Sequence, residues 1–139
     1  MGEKMPSISG NSRLGGRLKT RMVAFDLTLT ERPPMEIFEL RTYDVVVGKM
    51  AEVVELYKAE GWPALQRHPQ RLVGYFTGDV GAVNQLMHLW KFNDDADRRA
   101  FWAGVYGDEQ FMAFARKLRP LLLSQNNKLM LSAPWGPHP

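Results

Sequence analysis

Cysteine is absent from all 139 residues, which removes disulfides, thiolate metal sites and a cysteine nucleophile together. No apolar run approaches the ~20 residues that a membrane-spanning helix needs. Metal-ligand spacings are missing too: there is no His-x-His, no Glu-x-x-His and no EF-hand loop. Gly78-Asp79-Val80-Gly81 lacks both the lysine of a phosphate-binding loop and the spacing of a dinucleotide fingerprint. A Gly-x-Ser-x-Gly elbow is also wanting, so no cofactor and no catalytic motif is expected. Basic charge is scarce where it would matter. The net charge is +3, from 18 Lys and Arg against 15 Asp and Glu. Lys4, Arg13, Arg17, Lys19, Arg21 and Arg32 against Glu3, Asp26 and Glu31 account for all of it before Met35. The remainder is neutral, whereas a nucleic-acid binder concentrates base on its folded surface. No nucleic-acid partner is expected.

What is present is one globular domain's worth of chain, 45% hydrophobic and 24% charged. Residues 1–34 form a basic N-terminal extension, read as flexible. No apolar core follows its basic start, so it is not a secretory signal. A cytoplasmic protein is expected, with a mitochondrial one as the alternative if this Arg-rich leader is a targeting peptide. A start codon assigned too early, with the true one at Met35, is the third possibility. Pro33-Pro34 marks the break, residues 35–133 carry the domain, and residues 134–139 are a Pro-rich tail.

Periodicity divides the domain. Glu36 to Val47 is a long strand rich in β-branched and aromatic residues, ended by Gly48. Met50, Val53, Val54 and Tyr57 then fall at helical spacing. Gly61-Trp62-Pro63 interrupts this helix, Pro63 being suited to open a second segment, and His68-Pro69 stops it. Arg71–Thr77 and Gln85–Phe92 are strands joined by a Gly-containing loop of hairpin type. Asn93-Asp94-Asp95 supplies helix caps, Gly107-Asp108 restarts a helix, and Pro120 ends or kinks it near Arg119. Ser124–Leu131 is the last strand. The order is β-α-β-β-α-β, an α+β ferredoxin-like sandwich.

Two helices cover one face of such a sheet, yet both faces carry bulk. Phe38 and Leu40 oppose Glu39, Arg41 and Tyr43; Met87 and Leu89 oppose Leu86, His88, Trp90 and Phe92. An uncovered apolar face is unusual for a monomer, so two sheets packed face to face in a homodimer are expected, or a higher homo-oligomer.

The motifs carry a resemblance. Glu39-Leu40-Arg41-Thr42-Tyr43, Gly48-Lys49-Met50, Glu60-Gly61-Trp62-Pro63, Gly74-Tyr75-Phe76, Asn84-Gln85-Leu86-Met87-His88-Leu89-Trp90 and Arg119-Pro120-Leu121-Leu122 with Ser124-Gln125 occur in order. Together, over about residues 36–133, they resemble the NIPSNAP family. The resemblance implies a dimeric α+β barrel, two ferredoxin-like sheets closing round a shared interior. It implies no assigned reaction.

Candidate ligand-binding residues follow from strand parity: Arg41, Tyr43, Tyr75, His88, Trp90 and Gln125, placed in the barrel interior. Arg41 either clamps a carboxylate or phosphate, or pairs with Glu39 or an acid of the second subunit. His88 either orients a ligand or satisfies a buried partner across the dimer. Tyr75 and Gln125 add polar groups to the same space. His68 has a bland role as charge at a helix C-terminus, worth ~0.3–1 kcal/mol when protonated. Asp94, Asp95 and Asp97 complement a helix N-terminus. Two functions remain open. One is a non-enzymatic module binding a small molecule or partner protein. The other, by analogy of fold, is a cofactor-independent enzyme, oxygenase- or isomerase-like. The first is preferred because no catalytic motif is recognisable.

Overall fold

Burial alternates along Ile37–Val45, strand β1, which is one of the two inner strands of the sheet. The structure, a computed structural model, describes residues 35–139. The N-terminal extension and the readings that fall on it lie outside the described residues. Gly48 closes β1 with φ +84°, a left-handed conformation that glycine adopts without the clash a Cβ brings. Helix α1, Met50–Leu56, follows directly.

At Gly61-Trp62-Pro63 a second segment opens with Pro63 in its first turn, as expected, but the chain stays helical across the junction. It passes through a π turn, Tyr57–Gly61, straight into α2, Trp62–Leu65. Pro63 has no N–H for the α pattern, and the Trp62 N–H instead reaches back to the Tyr57 carbonyl. Gly61 is required for a separate reason. A Cβ there would stand 2.6 Å from Phe114 Cζ and 2.9 Å from Tyr57 Cδ1. The wider turn and the bare Gly61 let the next layer press against the helix.

Strands β2, Leu72–Thr77, and β3, Gln85–Phe92, form the hairpin. Helix α3, Asp95–Tyr106, is capped by Asp94, whose carboxylate accepts from the Asp97 N–H at 2.7 Å. Asp108 caps α4, Glu109–Leu118, by accepting from the Gln110 N–H at 2.9 Å. Such caps contribute about 1 kcal/mol each. The helix ends at Leu118, next to Arg119 as expected, and a short 3₁₀ turn, Arg119–Leu121, leads into β4, Leu122–Met130. The sheet is antiparallel in the order β2-β3-β1-β4, the ferredoxin-like arrangement.

The helices cover one face. Tyr43, Val45 and Leu86 pack there with Val53, Phe114 and Leu118. Trp90 and Phe92 pack with Leu65, Phe101, Trp102 and Val105. Fully burying each large side chain contributes about 1.5–3 kcal/mol, so these two clusters dominate the fold's stability. Across the sheet, pairing puts Leu40 beside Leu89 and Phe76 beside Met87 on the opposite face. Leu40, Met87 and Leu89 are half-buried there and Phe76 is exposed. Phe38, on that face, is buried under the C-terminal His138, the ring centroids 6.2 Å apart. The expectation of bulk on both faces with helices on one therefore holds.

Candidate functional site

The β1–β3 register sets Arg41 opposite His88, and the β2–β3 register sets Tyr75 opposite His88. Three strands thus bring Arg41, His88 and Tyr75 into one row, with Tyr43 and Trp90 one pleat away on the same face. That face is the helix-covered one. The expected barrel interior is corrected on this point. These side chains point into the layer between the chain's own sheet and helices, not toward an open sheet surface. The reason lies in contacts that periodicity cannot reveal: Tyr57 packs on His88, and Trp102 and Tyr106 close over Arg41.

His88 is 3% exposed and ringed by tyrosines. Its ring centroid lies 4.4 Å from that of Tyr75, 4.8 Å from Tyr43 and 5.4 Å from Tyr57. Burial, reinforced by the charge of Arg41, lowers the His88 pKa to about 3, so the imidazole is neutral at physiological pH. Burial pushes the hydroxyls of Tyr43, Tyr57 and Tyr75 up, although Arg41 partly offsets this for the first two. All three remain protonated. Tyr75 Oη, His88 Nε2 and Trp90 Nε1 are buried and make no hydrogen bond to the described residues.

Arg41 is engaged. Its Nε lies 3.4 Å from Glu39 Oε2, its Nη1 donates to Tyr106 Oη at 3.0 Å, and its guanidinium stacks 3.5 Å over the Trp102 ring. Glu39 is fully buried, accepts from Trp102 Nε1 at 2.7 Å, and stands 3.4 Å from Arg98. Of the two roles open to Arg41, the pair with Glu39 is the one formed.

Above this polar cluster opens a cleft of about 240 Å³ between the first helical segment and the hairpin. Val53, Val54, Tyr57, Trp62, Tyr75, Thr77 and Leu86 line it, with Lys58 at its side. Tyr57 and Tyr75, their ring centroids 5.7 Å apart, belong to both the cleft and the cluster.

Gln125 does not join the others. It pairs with Tyr43 in register, but no helix covers β4, and its side chain is exposed and donates to Asn127 Oδ1. His68 hydrogen-bonds Asp108 at 2.8 Å and ties α2 to α4, a role beyond the dipole contact expected for it. Asp97 pairs with Arg71, and Asp95 with Arg98 and Arg99. The cleft residues missed beforehand are Val53, Val54, Tyr57, Lys58, Trp62, Thr77 and Leu86. Val53 and Tyr57 lie on the helical stripe that periodicity does reveal, where they read as core.

A family model described as NIPSNAP matches residues 38–137. Protein NipSnap homolog 3A of Homo sapiens is 32% identical over 111 residues, covering 77% of this chain and 44% of that protein. The chain therefore spans about half the length of the curated relatives it matches. An uncharacterized NIPSNAP-like domain protein from Burkholderia xenovorans is 31% identical in its solved structure, with a TM-score of 0.70. The match covers 76% of this chain and 91% of that one. SnoaB, a cofactor-independent oxygenase from Streptomyces nogalater, is 18% identical with a TM-score of 0.54, over 75% of this chain and 99% of that one. At that identity the likeness is one of fold alone.

Proposed function

Because the chain belongs to the NIPSNAP family, we propose that it is a homodimeric module that binds a small molecule in the cleft between sheet and helices. One observation carries this reading. An apolar cleft shares Tyr57 and Tyr75 with a buried cluster in which Tyr75 Oη and His88 Nε2 lack protein partners. A buried polar atom left unsatisfied costs about 1–3 kcal/mol, and a concave apolar site with a few convergent polar groups is the usual form of a ligand pocket.

Dimerisation is supported by the open face, where Leu40, Phe76, Met87 and Leu89 have no helix over them. A second copy's sheet would cover it, and light scattering of the full chain should report a dimer that Leu89→Lys dissociates. The ligand is tested by native mass spectrometry of freshly purified protein. A co-purifying small molecule should be present in the wild type and lost in Val54→Trp, which adds bulk to the cleft wall. An adduct retained equally by both would refute the cleft as its site, and none in either would refute the reading.

The second reading is a cofactor-independent enzyme, favoured by the fold shared with SnoaB. It asks a residue of the cluster to exchange a proton. His88 is the candidate, yet an imidazole held at about 3 is a weak base at neutral pH, which favours binding over catalysis.

A further inference from the structure

The helix-free face of the sheet is covered at one corner. Phe38 projects from that face near the start of β1, yet it is only 5% exposed. Lys91 Nζ lies 5.9 Å from its ring centroid, and the His138 ring meets it edge-on at 6.2 Å and 73°. Strand β4 ends at Met130, opposite Phe38 in register, so the C-terminal tail leaves the sheet beside the ring that it later covers. At Gly136 the backbone takes φ +74°, a left-handed turn that glycine adopts without strain, and His138 follows two residues on.

This closure is lightly held. Pro134, Pro137 and Pro139 have no N–H to give to a neighbour. The hydrogen bond that His138 Nδ1 donates, to the Pro139 carbonyl at 3.3 Å, stays within the tail. Trp135 is 77% exposed, so the tail's largest side chain takes little part in the contact. A cavity of about 400 Å³, bounded by Met35, Glu36, Leu131, Ser132 and His138, stays open between the tail and the residues that lead into β1. Segments with so few buried contacts open at low cost.

Phe38 belongs to the same apolar surface as Leu40, its neighbour two residues along β1, and Leu89, which faces Leu40 across the sheet. Sheets packed face to face lie ~10 Å apart, and the side chains of both fill that gap, which leaves no layer for a third segment. A two-fold pair uses the same patch on each copy, so both tails stand in the way. We infer, resting on the homodimer reading above, that residues 133–139 form a strap holding, in the single chain, the corner of the sheet that a second copy takes. Dimerisation releases the strap and uncovers Phe38 as part of the interface. Each copy's apparent affinity falls in proportion to its open fraction, so a strap closed on about nine copies in ten weakens the dimer about a hundredfold.

The test is analytical ultracentrifugation of the full chain, Gly136→Val, Trp135→Ala and a chain ending at Ser132. No atom lies within 4 Å of the position a Cβ would take on Gly136, so Gly136→Val acts through its strained backbone alone and loosens the turn without a clash. Gly136→Val and the shortened chain should both dimerise at least about tenfold more tightly than wild type, and Trp135→Ala should not differ from it. The His138 imidazole signals, read by NMR, give a second measure that holds even where the dimer is too tight to dilute apart. In the Leu89→Lys monomer the Phe38 ring should displace them, and in the wild-type dimer they should coincide with those of Gly136→Val. Dimers unchanged or weakened in both tail variants, or His138 still displaced in the wild-type dimer, would overturn the strap. If that happens while Leu89→Lys still dissociates the wild type, the strap fails and the homodimer reading stands. If none of the chains associates, the homodimer reading fails and the strap with it.

Discussion

Replacing Arg41 by Met separates its two roles. The guanidinium sits 7% exposed beside a carboxylate that is 1% exposed, stacked 3.5 Å over Trp102 and bonded to Tyr106. Removing one partner of a buried pair costs about 3–5 kcal/mol, chiefly because the other charge is left behind. Arg98 remains 3.4 Å from Glu39 and holds the loss toward the lower end of that range. The lost cation–π contact, up to about 2 kcal/mol when desolvated, works the other way. A net loss of about 3 kcal/mol corresponds to a fall in Tm of at least about 12 °C for a domain of this size. Urea unfolding and thermal melts of wild type, Arg41→Met and Glu39→Gln/Arg41→Met make the measurement. The double variant should be more stable than Arg41→Met alone. It carries no unpaired charge, and the amide oxygen of Gln still accepts from Trp102 Nε1. If Arg41→Met keeps its stability to within about 1 kcal/mol, or if the two substitutions simply add, Arg41 is not a structural partner of Glu39.

Three further outcomes are expected. Burial pushes Asp108 up, but hydrogen bonds from His68, Arg67 and the Gln110 and Phe111 N–H groups overcome it and hold its pKa at about 2. The stability it contributes is present above its unfolded value near 4 and is lost as pH falls through 2; Asp108→Asn should cost about 1 kcal/mol at pH 7 by chemical denaturation and nothing near pH 2. His88 has a pKa depressed from 6.5 to about 3, so folding is favoured above pH 6.5 and progressively penalised as pH falls toward 3. In His88→Gln the slope of stability between pH 6.5 and 4.5, above the carboxylate range, should flatten; an unchanged slope would show that His88 is not held neutral by its surroundings. Gly61→Ala forces Phe114 or the π turn to move and should destabilise by about 1–3 kcal/mol, read as a lower urea midpoint, whereas a neutral effect would mean the layer is loosely packed.

The elements were legible because their signals are local. Strand β3 runs over the expected Gln85–Phe92, and Asp94 and Asp108 cap the helices that their spacing indicates. The helix through Gly61-Trp62-Pro63 was harder to read. Proline ordinarily marks a boundary, but here the missing N–H is absorbed by a π turn that tertiary packing against Phe114 supports. At the site, parity correctly grouped Arg41, Tyr43, Tyr75, His88 and Trp90. It did not say which face they share. A Glu-x-Arg pair on a strand suggests a wet or intersubunit surface, and only the long-range arrival of Trp102, Tyr106 and Arg98 makes burial of those charges tolerable. Gln125 shows the converse. Its register with Tyr43 is right, yet its strand lies beyond the reach of the helices. The cleft itself was hidden in plain pattern, since Val53 and Tyr57 share the stripe that builds the core.

The most direct measurement is a crystal structure of the full chain as freshly purified, with whatever small molecule it retains. The account predicts a small molecule in the cleft, bounded by Tyr57, Trp62 and Tyr75. A ligand bound instead on the open sheet face, or an empty cleft with Tyr75 and His88 satisfied by other protein groups, would contradict it.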